Sequence, residues 1–178
     1  MRIISGKNKG IIIHAPKNLP VRPTTDMAKE SLFNILENNF DLSSISALDL
    51  FSGTGNVSYE FCSRGSLAVT AVDIDFGCVK FIKESKIKFD FNALEIHKKD
   101  VFVFLKQCTN VFDIIFADAP YKLEKIITLP QLIFDNKILK QGGWLIVEHE
   151  NNLDLSHEIG FFEKRKYGQS AFSFFKYL

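Results

Sequence analysis

From residue 46 onward the chain alternates short apolar runs with helix-patterned segments, and this rhythm limits the fold more than any other feature of the sequence. SALDLF, LAVTAVDID, ALEIHKKD, VFDIIFA and GGWLIVEHE read as strands. Most of them are near-continuous runs of Val, Ile, Leu and Phe, as in strands covered on both faces. NVSYEFCSRG, FGCVKFIKESKIKFDF and VFVFLKQC read as helices between them, and LEKIITLPQLIFDNKIL as a helical stretch interrupted near Pro130. Such alternation builds an α/β, mostly parallel, doubly wound sheet. The last two runs, FFEKRKY and SAFSFFKYL, flank Gly168-Gln169 with no helix between them, so they should pair antiparallel.

The first 40 residues follow a different pattern. RIISG and KGIIIHAP, around Lys-Asn-Lys-Gly, read as a β-hairpin. The proline-marked PKNLPVRPTT leads into a helix with Ala28, Leu32, Ile35, Leu36 and Phe40 at helical spacing and Asp26 near its start. The expected organisation is one structural domain, with residues 1–40 as a basic hairpin-plus-helix appendage and residues 41–178 as the α/β body.

Net charge is only +1, which does not mark a nucleic-acid binder, but its distribution is uneven. Residues 1–30 carry six basic residues against two acidic ones, while the remainder is slightly acidic. Arg2, Lys7, Lys9 and Arg22 are therefore candidates for contacting nucleic-acid phosphates. A solvated, lysine-rich hairpin explains the same charges. Three widely spaced cysteines without a CxxC read as reduced thiols, and four histidines lack metal-ligand spacing, so no metal site is expected. The N-terminus has no apolar leader pattern and no run approaches a membrane span, so the expectation is a cytoplasmic chain with no membrane partner.

In an open α/β sheet, ligands bind at the carboxyl ends of the strands. Four strand ends here carry distinctive residues. DLFSGTG places Asp49, Phe51, Gly53 and Gly55 in a loop whose glycines permit a sharp turn and close approach. Asp73 closes the second strand 18 residues after Gly55, about the spacing at which Rossmann-type folds place an acid on ribose hydroxyls. Asp100 closes the third strand, placed to meet an adenine amino group. A dinucleotide fingerprint would need a third glycine, and that position is Ser58. Asp49 would also repel phosphates and suits a cationic ligand. S-adenosylmethionine, with its ammonium, sulfonium and adenosine, matches these requirements. Taken alone, the two glycines fit an ordinary tight turn equally well.

The fourth run ends in FADAPY, residues 116–121. Beside the first strand, Asp118 would lie near the reactive end of such a cofactor. An exocyclic amine is a poor nucleophile because its lone pair is delocalised into the ring. Asp118 and the Ala119 carbonyl can accept its two N–H bonds, Pro120 fixes the turn, and Tyr121 offers a stacking face.

Asp49, Phe51, Gly53 and Gly55, together with Asp118-Ala119-Pro120-Tyr121, resemble the D-x-F-x-G-x-G and [DN]-P-P-[YF] motifs of amino-methyltransferases. The whole chain resembles, more specifically, the bacterial 16S rRNA guanine-N2 methyltransferase family, RsmD. The matching stretches are residues 2–6, Lys9-Gly10, Arg22-Pro23-Thr24, residues 29–34 and the YGQSAFS segment. The resemblance implies a class I S-adenosylmethionine-dependent (Rossmann-like) fold. It also implies methylation of guanine 966 in the small ribosomal subunit, with the site residues named above. Two positions depart from the family pattern: Ala119 replaces the first proline, and Met27 replaces an arginine. Competing readings are a catalytically weak rRNA-binding or assembly factor, and an amino-methyltransferase acting on another base or on protein glutamine.

Overall fold

The alternation is realised as one seven-stranded sheet in the order β3-β2-β1-β4-β5-β7-β6. The computed structural model describes residues 1–16, 19, 25–120 and 123–177. The strands are β1 (Ser46–Leu50), β2 (Ala68–Asp73), β3 (Leu94–Lys98), β4 (Phe112–Asp118), β5 (Leu139–Glu150), β6 (Phe161–Tyr167) and β7 (Ser170–Lys176). The first five are parallel, and β7 inserts antiparallel between β5 and β6. This is a class I methyltransferase fold of the Rossmann-like, doubly wound type.

Helices cover both faces. The helices α1 (Asp26–Glu37), α2 (Asn56–Ser63) and α3 (Phe76–Lys88) pack with Ile3 and Ile13 over one face. The helices α4 (Val101–Gln107) and α5 (Leu129–Asp135) pack over the other. Strand residues divide between the faces by the two-residue alternation of extended backbone. Ile114 and Phe116 of β4 join the first cluster, and Ile115 and Ala117 join the second. The sequence boundaries hold closely, with three differences. Asp100 lies beyond β3 and caps α4, its Oδ1 accepting from Val103 N at 3.0 Å. Pro130 does not interrupt a helix but stands in the first turn of α5, where its missing N–H costs nothing, after a 3₁₀ turn over Glu124–Thr128. β5 begins three residues before Gly142.

The expected N-terminal hairpin is only partly formed. Its arms pair around the Arg2–Ile12 bridge, with Met1 and Ile13 exchanging bonds, Ile3 N donating to Ile11 O and Gly10 N to Ile3 O, and the pairing ends at Ile3. The physical reason is a competing acceptor. Ser5 N, which strand alternation would turn toward the ladder, donates instead to Glu60 Oε1 of α2 at 3.0 Å, while Ile4 N, facing away from the partner arm, donates to Oε2 at 2.9 Å. The turn then lies against the end of α2, with Lys7 N donating to Ser63 O at 2.7 Å. Gly6, at φ +81°, sits where a Cβ would collide with that Ser63 carbonyl, so the docking requires glycine.

Glu60 is fully buried and Lys29 is 1% exposed. Lys29 Nζ donates to Arg2 O at 2.6 Å and Asn56 Oδ1 at 2.8 Å, and lies 3.5 Å from Glu60 Oε2. Arg64 Nε donates to Glu60 Oε1 at 2.8 Å, and its guanidinium covers the Phe33 ring. Lys29 is therefore no part of a basic surface, contrary to its place in the N-terminal charge count. It is an internal strut. Burial pulls its ammonium below the ordinary lysine value, against the opposing influence of Glu60.

Removing one partner of a buried pair strands the other. Glu60→Ala is expected to lower stability by about 3–5 kcal/mol in urea denaturation. A loss below about 1 kcal/mol, the scale of a surface pair, would show that the network is incidental.

Candidate active site

β1 pairs with β2 on one side and β4 on the other, so the strand order reverses between β1 and β4. At such a reversal the connections leave in opposite directions and open a crevice at the carboxyl ends. A cavity of about 960 Å³ occupies that position. It is lined by all the sequence-predicted cofactor residues except Gly55, and by Asp118, Ala119 and Pro120. Gly55 is at the base of the same loop as the N-cap of α2. Tyr121 and Arg22 lie outside the described residues.

The loop after β1 is shaped by its backbone. Gly53 and Gly55 take φ values of +52° and +82°, and Phe51 takes +60° without being glycine. A positive φ at a bulky residue is strained and persists only where the surroundings hold it. At Gly55 a Cβ would stand 2.7 Å from the Tyr59 ring, so no side chain fits there.

Two buried or half-buried acids tie this loop down. Asp49 Oδ2 accepts from Ser58 N at 3.1 Å and from Ser58 Oγ at 2.5 Å, across the start of α2. Its burial pushes the carboxyl up to about 7, although both Ser58 bonds favour the charged form. Asp73 Oδ2 accepts from Gly53 N at 2.7 Å, and its Oδ1 from Asp75 N at 2.8 Å. Burial raises Asp73 as well, and these backbone bonds oppose it. Asp73 thus links β2 to the glycine loop, a role that spacing alone did not reveal.

Several lining features escaped the sequence reading. Ser52 Oγ is buried and has no hydrogen-bond partner among the described residues. Ile74 and Phe76, each 65% exposed, present large apolar surfaces beside Asp73. Exposed apolar groups at a cavity mark a place where a ligand can cover them. Glu148 of β5 faces Asp118 in register and lines the same space. The β6–β7 turn, Tyr167 to Ser170, closes that side. The signal for Ile74 and Phe76 was available, because they directly follow the acid at the end of β2.

The predicted phosphate contacts divide. Arg2 lies near the cavity mouth: the neighbouring Met1 sulfur accepts from Thr54 Oγ1 at 3.4 Å, and Arg2 pairs with Asp26 at 3.6 Å. The turn bearing Lys7 and Lys9 lies at the other end of α2, about 12 Å away for an eight-residue helix. Lys7 makes an exposed pair with Asp90 at 3.7 Å, and Lys9 is exposed. The structure does not bring these three charges to one point.

The family model described as Conserved hypothetical protein 95 matches residues 1–176. Ribosomal RNA small subunit methyltransferase D of Buchnera aphidicola subsp. Baizongia pistaciae is 32% identical over 86% of this chain and 78% of its own length. The chain belongs to the ribosomal RNA small subunit methyltransferase D family. The protein of the same name in Haemophilus influenzae is 30% identical over 87% of this chain and 81% of its own. Among solved structures, a hypothetical protein of Thermus thermophilus superposes with a TM-score of 0.86 over 99% of each chain, at 25% identity. Among the described residues no helix is long and apolar enough to cross a membrane, and no cluster of three potential ligands could hold a metal ion.

The raised Asp49 carboxyl has a consequence for stability. Between about pH 4 and 7 the folded chain keeps a proton on Asp49 that the unfolded chain releases, so its stabilising contribution is lost as pH rises through about 7. Asp49→Asn never ionises. Its stability relative to wild type should rise from pH 4 to 7 and level off above, as read from paired denaturation curves. A flat difference would mean that Asp49 is ionised throughout.

Proposed function

We propose that the protein methylates the exocyclic N2 amine of a guanine in 16S rRNA, guanine 966 in conventional bacterial numbering, within the small ribosomal subunit. The methyl donor in this reading is S-adenosylmethionine, and the setting is the cytoplasm. The observation that carries it is one cavity shared by the glycine loop, Asp73, Asp100 and the Asp118-Ala119-Pro120 turn. Support comes also from family membership and from relatives named as small subunit rRNA methyltransferases.

The lining suits this donor. Among the described residues, six carboxylates and one lysine, Lys98, line the cavity, a balance that suits a cationic ligand better than a polyphosphate. The Ser52 hydroxyl lacks a partner among the described residues, and Ile74 and Phe76 offer apolar cover for a flat ring. Asp49 and the backbone from Phe51 to Gly55 would hold the methionine end. Asp73 would take the ribose hydroxyls, since each carboxylate oxygen retains accepting capacity beyond its present bond. Asp100 would take the adenine amine. When bound, the sulfonium supplies an electrophilic methyl group.

The protein's own contribution is alignment and hydrogen bonding. Asp118 accepts one amine N–H and the Ala119 carbonyl accepts the other, which localises the nitrogen lone pair. Pro120 holds the turn by its fixed φ. Tyr121 supplies the stacking face for a base taken out of its helix. The amine proton becomes acidic only after transfer, so Asp118 passes it to water rather than acting as a strong base. In the appended arm of residues 1–40, Arg2, Lys7, Lys9 and Arg22 contact rRNA phosphates. The separation of Lys7 and Lys9 from the mouth makes this an extended contact rather than a point clamp.

Single-turnover methylation of undermodified small subunits with saturating cofactor tests the reading. Asp118→Ala should slow transfer by about 10²–10³, the scale for one lost transition-state hydrogen bond, with cofactor affinity unchanged. Asp73→Ala should instead weaken cofactor binding by about 1–3 kcal/mol in calorimetry. Transfer by Asp118→Ala at the wild-type rate would remove the turn from the chemistry.

A further inference from the structure

The strand following the proposed catalytic turn carries a second carboxylate that this chemistry does not use. Glu148 is the in-register partner of Asp118 on the adjacent parallel strand. Neighbouring strands lie about 4.8 Å apart, and residues directly opposite one another project to the same face. Both residues line the cavity. Glu148 is only 5% exposed, and its backbone is fixed from the other side by pairing with Phe172 of β7.

The geometry points to Glu148 as the residue that makes the site specific for guanine, by accepting the N1–H of the target base while Asp118 accepts from the adjacent N2 amine. This rests on the amine-methylation reading given above. The chemistry of the bases decides it. On guanine, the Watson–Crick-edge ring nitrogen beside the exocyclic amine, N1, is a donor, so that edge presents N1–H and N2–H side by side. Two neighbouring carboxylates, which only accept when ionised, match it. On adenine and cytosine the ring nitrogen beside the amine is an acceptor. Its lone pair would face the Glu148 carboxylate, leaving a buried polar atom opposed rather than paired. The same pair therefore attracts one base and rejects two others. No proton leaves N1 in this scheme; the bond positions the base and adds electron density to the ring.

The test uses 2-aminopurine, which keeps the C2 amine but carries an unprotonated N1. Small subunits are reconstituted with guanine or 2-aminopurine at the target position and offered to the full-length protein in single turnovers. Wild type should prefer guanine by about 10–100-fold, the usual discrimination of a well-placed pair of hydrogen bonds. In Glu148→Gln the amide can turn either its oxygen to N1–H or its NH₂ to a bare N1, so the preference should fall to within about threefold. A role confined to folding would slow both substrates and leave their ratio unchanged, and that result would overturn the inference. Equal transfer to both bases by wild type would overturn it without any variant, while leaving the methyltransferase reading intact. Failure of wild type to methylate guanine-containing subunits would remove that reading, and the role of Glu148 with it.

Discussion

The pairing of β1 with β4 is the contact on which the rest of the molecule depends. Strands adjacent in space but distant in sequence meet there, with Leu48 beside Ile115 and Leu50 beside Ala117. Nearly every side chain along the seam is fully buried, and burial of each large aliphatic side chain is worth about 1.5–3 kcal/mol. Because the sheet reverses its order at this seam, the residues after β1, β2 and β3 gather on one side of a crevice. Those after β4 and β5 gather on the other. The cofactor-type acids and the FADAPY turn face one another as a result of topology, without any long loop to carry them.

A second constraint couples the N-terminal arm to that crevice. The helix that starts at the glycine loop carries Glu60 on its buried face, and Glu60 holds the backbone of residues 4 and 5. Lys29 binds Asn56 in the first turn of the same helix and the Arg2 carbonyl of the arm. Thr25 and Met27, at the start of α1, line the cavity. The arm is thus positioned by the element that shapes the cofactor loop, and displacement of one is expected to disturb the other.

The sheet was legible because its strands are unambiguous apolar runs separated by helices of ordinary length, and because β6 and β7 have no crossover between them. The acids at strand ends were legible because an α/β sheet makes those positions functional by default. What the sequence concealed was the use of charge inside the protein. Lys29 and Glu60 sit on amphipathic helices, where such residues normally face water, and only the folded packing shows that they meet. The Glu60 carboxylate also takes the Ser5 N–H, which ends the pairing that RIISG begins. Glu148 was hidden for a related reason: an acid after LIV reads as a polar strand end, and its register with Asp118 exists only once β4 and β5 pair. Asp73 and Asp100 line the cavity, but their backbone bonds to Gly53 and Val103 depend on loop geometry that spacing does not encode.

In the function proposed above, this cavity modifies one guanine of the small-subunit rRNA. Mass spectrometry of the rRNA fragment containing the target, from cells lacking this protein, tests it most directly. N2-methylguanosine should vanish from that fragment in the deletion strain, return with the wild-type chain, and remain absent or greatly reduced with Asp118→Ala. Full methylation of the fragment in the deletion strain would contradict it.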